Sequence, residues 1–213
     1  MIRYLKDFPE QLAGFDFNTL ESSKDSIYGL TDKLSFSYFN PAFFEFGHQN
    51  HLSQAIIYNP PLDVSLNTLI KGKEIKEYYE KLYNRSLQTG KVLQHDYECS
   101  SATEYRHNHM EIFPLKNGAG LIVVNRIKIS VPMNILDRKS KKPEKSIYTQ
   151  PSGYIVQCSN CRHFQRSDQT EIWDWIPDWI NHQPDNSNHS ICPVCFDYYW
   201  KHNKIKHSGR FLH

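Results

Sequence analysis

Two cysteine pairs of identical spacing constrain the fold of this chain more than any other feature of its sequence. The pairs read CSNC and CPVC, with thirty residues between them, and they supply Cys158, Cys161, Cys192 and Cys195. The backbone of a CxxC segment aims both sulfurs at a common point, so two such segments offer four thiolates to one ion. The pattern therefore predicts a closed, four-sulfur metal site.

An all-sulfur site favours zinc, with one structural ion per chain, because no coordination position is left open for a reacting water. Iron also suits four thiolates. His189 lies three residues before Cys192 and is an alternative to one sulfur, although a hydrogen-bonded histidine beside the cluster is the preferred interpretation. A thiol redox sensor that releases zinc on oxidation is another alternative. The two pairs and the lack of a preceding βαβ pattern argue against a thioredoxin-like centre.

The remaining composition suggests a cytoplasmic protein without membrane insertion. The first residues, MIRYLKDFPEQLAGF, lack the apolar core of a signal peptide, and no apolar run approaches the roughly eighteen residues of a membrane span. A reducing compartment disfavours disulfides between the pairs. The net charge of +2 gives no general argument for nucleic acid as a partner. A nucleic-acid-binding regulator stays open as an alternative because the cysteine region is locally basic, through Arg162, His163, Arg166, Lys201, Lys204 and Lys206.

The residues before the cysteine region predict an α+β domain with helices grouped on one face of a sheet. A helix should begin after Asn40, which is an N-cap residue followed by proline. An amphipathic helix is predicted over 73–89, with Gly90 as its stop. Asn117-Gly118 predicts a hairpin turn. The predicted strands cover 26–30, 34–39, 92–100, 105–115 and 120–129.

These patterns divide the chain into five parts. The run DRKSKKPEKS at 137–146 has no apolar partner residues and is interpreted as a solvated connector. The predicted parts are an N-terminal helical extension (1–23), the α+β domain (24–130), a linker (131–150), a cysteine module (151–200) and a C-terminal tail (201–213).

Several stretches of the α+β domain resemble PAS sensor domains. They are YFNPAFFEFGHQN after the second strand, TGK at the end of the long helix, and HDYECSSATEYRHNHMEIFPLKNGAGLIVVNRI. The resemblance implies an antiparallel five-stranded sheet and a ligand-sensing or protein-docking role, often as a homodimer. It leaves the ligand and the protein partner unidentified, although members of this family hold haem, flavin or small metabolites.

The cysteine module is similar to a short module at the end of some bacterial PAS signalling proteins. That module has a CxxC, a Trp-containing helix and a His-Ser-x-Cys-Pro-x-Cys segment, and the match covers about 154–199. The resemblance implies the same four cysteine ligands. Pro177 is expected to delay the helix start. A module of this size cannot fold by burial alone, so its tryptophans are expected to form a miniature core around the metal. They are Trp173, Trp175, Trp179 and Trp200.

Histidines are the other candidate ligands. Alternation along two strands predicts two groups on single faces: His107, His109 and Glu111, opposite Met110 and Ile112, and His95, Tyr97 and Cys99. A haem or metal ligand among them is one interpretation, and a solvated or dimer-facing sheet surface is the preferred one. His48 and His51 are candidates for a pocket mouth. Cys99 is expected to be a packed side chain rather than a reactive thiol.

The sequence contains few features that indicate an enzyme. It contains no nucleophile elbow, no phosphate-binding glycine loop, no HExxH and no kinase or cyclase segment after the PAS-like region. We therefore expect a non-enzymatic signal-transduction protein, with a sensing or docking domain coupled to a structural zinc module.

Overall fold

A computed structural model describes residues 1–12, 14–50 and 53–201. In its first part the strands are β1 (Ser26–Thr31), β2 (Phe36–Phe39), β3 (Leu93–Glu98), β4 (Glu104–Pro114) and β5 (Gly120–Pro132). They form one antiparallel sheet in the order β2-β1-β5-β4-β3. The predicted α+β fold class is confirmed.

The helices of this part are α1 (Phe17–Ser22), α2 (Pro41–Gln49), α3 (Gln54–Tyr58) and α4 (Lys73–Thr89). The predicted start of α2 is confirmed, since the Asn40 side chain accepts a hydrogen bond from the Phe43 N–H at 3.0 Å. The predicted stop of α4 is also confirmed, with Gly90 at φ +62°. Short 3-10 turns occupy Phe8–Gln11, Leu66–Thr68, Lys116–Gly118 and Met133–Ile135. Across the described ranges, no helix has the length and apolar character of a membrane span.

Both faces of the central strands are covered. Helices α2 and α4 pack on one face, over a core that includes Phe39, Tyr83 and Ile112. The N-terminal segment covers the other face, where the Phe8 ring stacks on Tyr38 with centroids 4.6 Å apart. Because successive strand residues point to opposite faces, this double cover explains why all four residues of β2 are buried.

The second part is a four-stranded sheet with short helices. Its strands are β6 (Ile155–Cys158), β7 (Phe164–Gln165), β8 (Trp173–Asp174) and β9 (Ser187–Ser190), in the order β8-β7-β6-β9. The helices are α5 (Lys145–Tyr148), α6 (Pro177–Asn181), α7 (Pro193–Cys195) and a π-helix (Phe196–Lys201). Strand β6 pairs with β9 in parallel, with Cys158 opposite Ser190. This pairing brings the two cysteine segments side by side.

The tryptophans divide into two groups. Trp175 and Trp179 are buried in a core with Phe164 and Tyr148 that is separate from the cysteine cluster, so the predicted core around the metal is wrong for these two. Trp173 and Trp200 are only partly buried and pack against the cysteines instead.

The Trp-containing helix of the module is α6, whose one tryptophan is Trp179, whereas Trp173 lies on β8. Helix α6 starts at Pro177, which keeps the preceding Ile176 out of the helical conformation (φ −125°, ψ 84°).

The basic run at 137–146 is exposed except for Arg138, which is half-buried. On either side of it, Met133 and Tyr148 are buried in the module core. The interpretation as a solvated connector therefore holds for the lysines of this run and is wrong for Arg138.

Candidate metal centre and ligand cavity

The four predicted cysteines come together in one buried cluster. Their Sγ atoms all lie within 4.8 Å of one another, and the Cys161 and Cys192 sulfurs are 3.6 Å apart. A tetrahedral site with metal–sulfur bonds of about 2.3 Å has sulfur–sulfur edges of about 3.8 Å. The cluster thus has the dimensions to hold one metal ion.

Backbone N–H groups donate hydrogen bonds to two of the four sulfurs, which favours thiolates at Cys158 and Cys192. The Cys192 N–H donates to Cys158 Sγ and the Cys195 N–H donates to Cys192 Sγ, each at 3.4 Å. Hydrogen bonds from the three neighbouring thiols lower the pKa of Cys158, and contacts within the same cluster raise the pKa of Cys161 and of Cys195. Four thiolates would repel one another, and a soft divalent cation offsets that repulsion. The donor set therefore fits a metal.

Two tight turns hold the sulfurs in place. Cys158 ends β6, and its carbonyl accepts from the Arg162 N–H at 3.1 Å, with Arg162 in the left-handed region at φ +66°. Cys192 is the N-cap residue of α7. Cys99 is half-buried and lies outside the cluster.

His189 is a hydrogen-bonded neighbour of the cluster. Its Nδ1 lies 3.4 Å from Ser159 Oγ, and its Nε2 lies 3.2 Å from Gln183 Nε2. Burial lowers the pKa of His189 to about 4, so the ring is neutral at pH 7. These contacts support the preferred interpretation of His189 over the ligand alternative.

His95 does not lie on a solvated or dimer-facing surface, and that prediction is wrong for this residue. It is 1% exposed, because its face of β3 lies beneath α4. Tyr78 Oη is 3.0 Å from His95 Nδ1, and Tyr97, on the same face as predicted, stacks on the ring. Burial lowers the pKa of His95 to about 4.

The second histidine group lies on the face of β4 opposite Met110 and Ile112, as the alternation predicted. His109 Nδ1 is 2.5 Å from Asp96 Oδ1, and the His107 ring faces Tyr199 with centroids 6.0 Å apart. Within the described ranges, the histidines form no group with metal-ligand spacing. His48 is exposed at the end of α2, and His51 lies outside the described residues.

A cavity of about 420 Å³ lies between the sheet and helices α2 and α4. Its walls are mainly apolar and aromatic, and include Tyr28, Phe43, Phe46 and Met110. Burial raises the pKa of Tyr28 to about 12, so its hydroxyl stays protonated and shares a 2.6 Å hydrogen bond with Tyr83. The cavity has the size and lining of a small-molecule site.

One polar group of this cavity has no partner among the described residues. Asn108 is 2% exposed, and its Nδ2 finds no acceptor in the described ranges. An unpaired buried donor costs about 1–3 kcal/mol, which an acceptor on a bound ligand would offset. Asn108 was not among the predicted site residues, although alternation places this polar residue on the buried face of β4 beside Met110.

The α+β domain and the cysteine module meet at a contact that we call the seam. It joins Gly72, Glu74 and Tyr78 of the α4 region to His189, Ser190 and Trp200 of the module. The Trp200 ring stacks on Tyr78 with centroids 4.0 Å apart and planes 13° apart. Ser190 Oγ donates to Glu74 Oε2 at 2.9 Å. The module is therefore packed on the domain.

Gly72 allows the closest approach at the seam. It adopts φ +88°, and a Cβ there would lie 2.2 Å from the His189 carbonyl oxygen. We expect Gly72→Ala to separate α4 from β9, because the obstructing atom is backbone. Gly90→Ala is the matched control, since Gly90 also has positive φ (+62°) but a Cβ on it would have no other atom within 4 Å.

The measurement is the free energy of unfolding in urea for both variants. Gly72→Ala should cost about 1–3 kcal/mol more than Gly90→Ala. Equal losses would mean that only backbone strain matters and that the seam tolerates a methyl group.

No protein-family model matches this chain, and no curated protein is significantly similar to it. Among solved structures, the crystal structure of a phage VqmA–DPO complex shares 14% identity with a TM-score of 0.39. That alignment covers 52% of this chain and 50% of the VqmA chain. A PAS domain from a two-component sensor histidine kinase shares 16% identity with a TM-score of 0.29, over 52% of this chain and 91% of the PAS chain. This chain thus spans half the length of the VqmA structure.

Proposed function

We propose that this protein is a non-enzymatic signal-transduction protein. Its α+β domain binds a small organic ligand, and a structural zinc ion holds the C-terminal module against that domain. The observation that carries the proposal is the 420 Å³ cavity with the unpaired Asn108 donor. The protein forms a homodimer, and a protein partner distinguishes its ligand-bound state from its ligand-free state. Sedimentation of the purified protein measures the dimer.

The lining of the cavity indicates the kind of ligand. Apolar walls favour an organic molecule, and Asn108 Nδ2 favours a carbonyl or ring-nitrogen acceptor opposite it. No histidine is among the described residues that line this cavity. A haem with a histidine axial ligand therefore has no support here.

The sulfur cluster supports a structural ion. All four cysteines are buried, and all four positions of a tetrahedral site would be filled by sulfur. Zinc is the metal that most often takes this donor set. Its role in the proposal is to fix the module, with no step of chemistry on a substrate.

The test is Asn108→Leu, which removes the unpaired donor while keeping the side-chain volume similar. We expect the variant to contain at least about tenfold less than wild type of any organic molecule that co-purifies with the protein. Mass spectrometry of a solvent extract measures this amount. The ligand-free variant should also be more stable than ligand-free wild type by about 1 kcal/mol, because a buried unpaired donor is gone.

Met110→Leu is the matched control, since it changes the same wall with no polar group. It should keep the co-purifying ligand, and its free energy of unfolding should stay within about 1.5 kcal/mol of the wild-type value. A destabilised Asn108→Leu protein with unchanged ligand content would show that Asn108 is structural, and would overturn the proposed ligand contact.

A further inference from the structure

A second cavity, of about 370 Å³, lies at the seam. The domain contributes the loop and start of α4 (Leu69 to Lys71, and Ile75) and the end of β3, and the module contributes Ser159, Asn160, Gln183 and His189. Ile70, Tyr79 and Tyr97 line both this cavity and the first one. Neither part of the chain forms this second cavity alone.

Asn160 brings an unpaired donor to the seam cavity. It lies within the CSNC segment, is 3% exposed, and has no acceptor for Nδ2 among the described residues, sulfur atoms included. Its loop is fixed on both sides, since Ser159 N–H donates to the Ser190 carbonyl at 2.9 Å and Cys161 belongs to the cluster. A rigid, buried amide donor at a cavity wall indicates a ligand with an acceptor.

Basic side chains lie around this cavity, beside the sulfur cluster that flanks Asn160. Lys71 is exposed at its wall, and Arg162 lies close enough to act on His189. After burial, the charges of Arg162 and Lys71 lower the pKa of His189 further, and the thiolate of Cys158 opposes them. The one carboxylate of the wall is Glu98, among the described residues, and Arg138 neutralises it at 2.9 Å.

Five of the other lining residues are aliphatic or aromatic. Leu69, Ile70 and Ile75 contribute aliphatic side chains, and Tyr79 and Tyr97 contribute rings. Such walls stabilise a carbon skeleton better than a fully hydrated inorganic ion. The lining thus combines a cation and a fixed amide donor with apolar and aromatic side chains.

We infer that the seam cavity binds a small organic carboxylate, whose oxygens accept hydrogen bonds from Asn160 Nδ2 and Lys71 Nζ. This site is separate from the ligand site in the proposed function. Because its walls come from both parts of the chain, a bound carboxylate stabilises the packed seam and links the metal module to the sensing domain.

The experiment is calorimetric titration of the full-length, zinc-loaded protein with phenylacetate, succinate and citrate. Phenylacetamide is the neutral counterpart of the first probe, and inorganic phosphate tests an anion without a carbon skeleton. We expect at least one carboxylate to bind, with phenylacetamide at least about tenfold weaker than phenylacetate if the latter binds, since a charged acceptor is lost. Phosphate should bind more weakly than the best carboxylate.

Variants on both walls assign the site. Lys71→Glu should weaken carboxylate binding by about tenfold, whereas Lys73→Gln should leave it unchanged, because the Lys73 side chain is 89% exposed and does not line the cavity. Asn160→Asp should weaken binding by at least about tenfold, with zinc content measured on the same sample. If Asn160→Asp loses zinc, Lys71→Glu alone decides the assignment.

Three outcomes would overturn the inference. They are no binding of any of the three carboxylates up to about 10 mM, phosphate binding as tight as the best carboxylate, and unchanged affinity in Lys71→Glu. Asn108→Leu separates this inference from the proposed function, because it should empty the first cavity and leave carboxylate binding at the seam intact.

Discussion

Cys158→Ser is expected to lower bound zinc from about one ion per chain to nearly none and to unfold the cysteine module. Cys158 is fully buried at the end of β6, and its sulfur accepts the Cys192 N–H. In small zinc modules the metal-binding free energy, about 10–16 kcal/mol, is also the folding free energy. A core of a few aromatic residues cannot replace it.

Elemental analysis in reducing buffer measures the zinc, and near-ultraviolet circular dichroism reports the tryptophans of the module. Cys99→Ser is the matched control, since Cys99 is a half-buried thiol outside the cluster. It should keep the zinc and the tryptophan signal. Wild-type protein without metal, or equal zinc loss in the control, would contradict the metal assignment.

Unfolding of the module should also affect the α+β domain, because the two parts are in contact at the seam. With Trp200 stacked on Tyr78 and Ser190 bonded to Glu74, unfolding of the module removes packing from one side of α4. Hydrogen exchange of the amides in α4 should therefore accelerate in Cys158→Ser. Unchanged exchange would mean that the domain is stable without the module.

Features set by local chemistry were predictable from the sequence. Asn40-Pro41 marked the start of α2, and Gly90 marked the end of α4, because caps depend on a few adjacent residues. The four-cysteine cluster was also predictable, since each CxxC turn is local and four thiolates favour one common ion.

Features that depend on distant partners were not predictable. Parallel pairing of β6 with β9 joins strands separated by α6, and neither short strand has a distinctive pattern. The sequence pattern around His95 suggests a surface residue, and the side chain is buried only because α4 packs over this face. Arg138 stands in a run of exposed lysines, and its partner Glu98 is 40 residues away. Charge patterning along the chain contains no information about such a pair.

Arg138→Met is expected to destabilise the protein by about 3–5 kcal/mol. Glu98 is 4% exposed, and Arg138 Nη2 lies 2.9 Å from one carboxylate oxygen and 3.0 Å from the other. The same guanidinium stacks over Trp175 of the module at 5.1 Å. Methionine keeps much of the packing volume but leaves a buried carboxylate without its cation.

Chemical unfolding at pH 7 measures this loss, with Lys139→Met as the control because Lys139 is the exposed neighbour. The double variant Glu98→Gln/Arg138→Met should recover about 2 kcal/mol or more, since a neutral amide costs less to bury than a carboxylate. A double variant as unstable as Arg138→Met would show that packing on Trp175, and not charge, is what Arg138 supplies.

The pH dependence gives an independent test of the same pair. Burial raises the pKa of Glu98 above its usual 4.5, and Arg138 opposes that rise. In Arg138→Met the opposition is gone, so the folded-state pKa rises further while the unfolded pKa stays near 4.5. Between these two pKa values the folded state binds more protons than the unfolded state, so the free energy of unfolding falls as pH rises through that interval. The deficit of Arg138→Met should therefore be smallest near pH 4 and reach its full size above the folded pKa. The double variant has no carboxylate at position 98, so its deficit should change far less with pH.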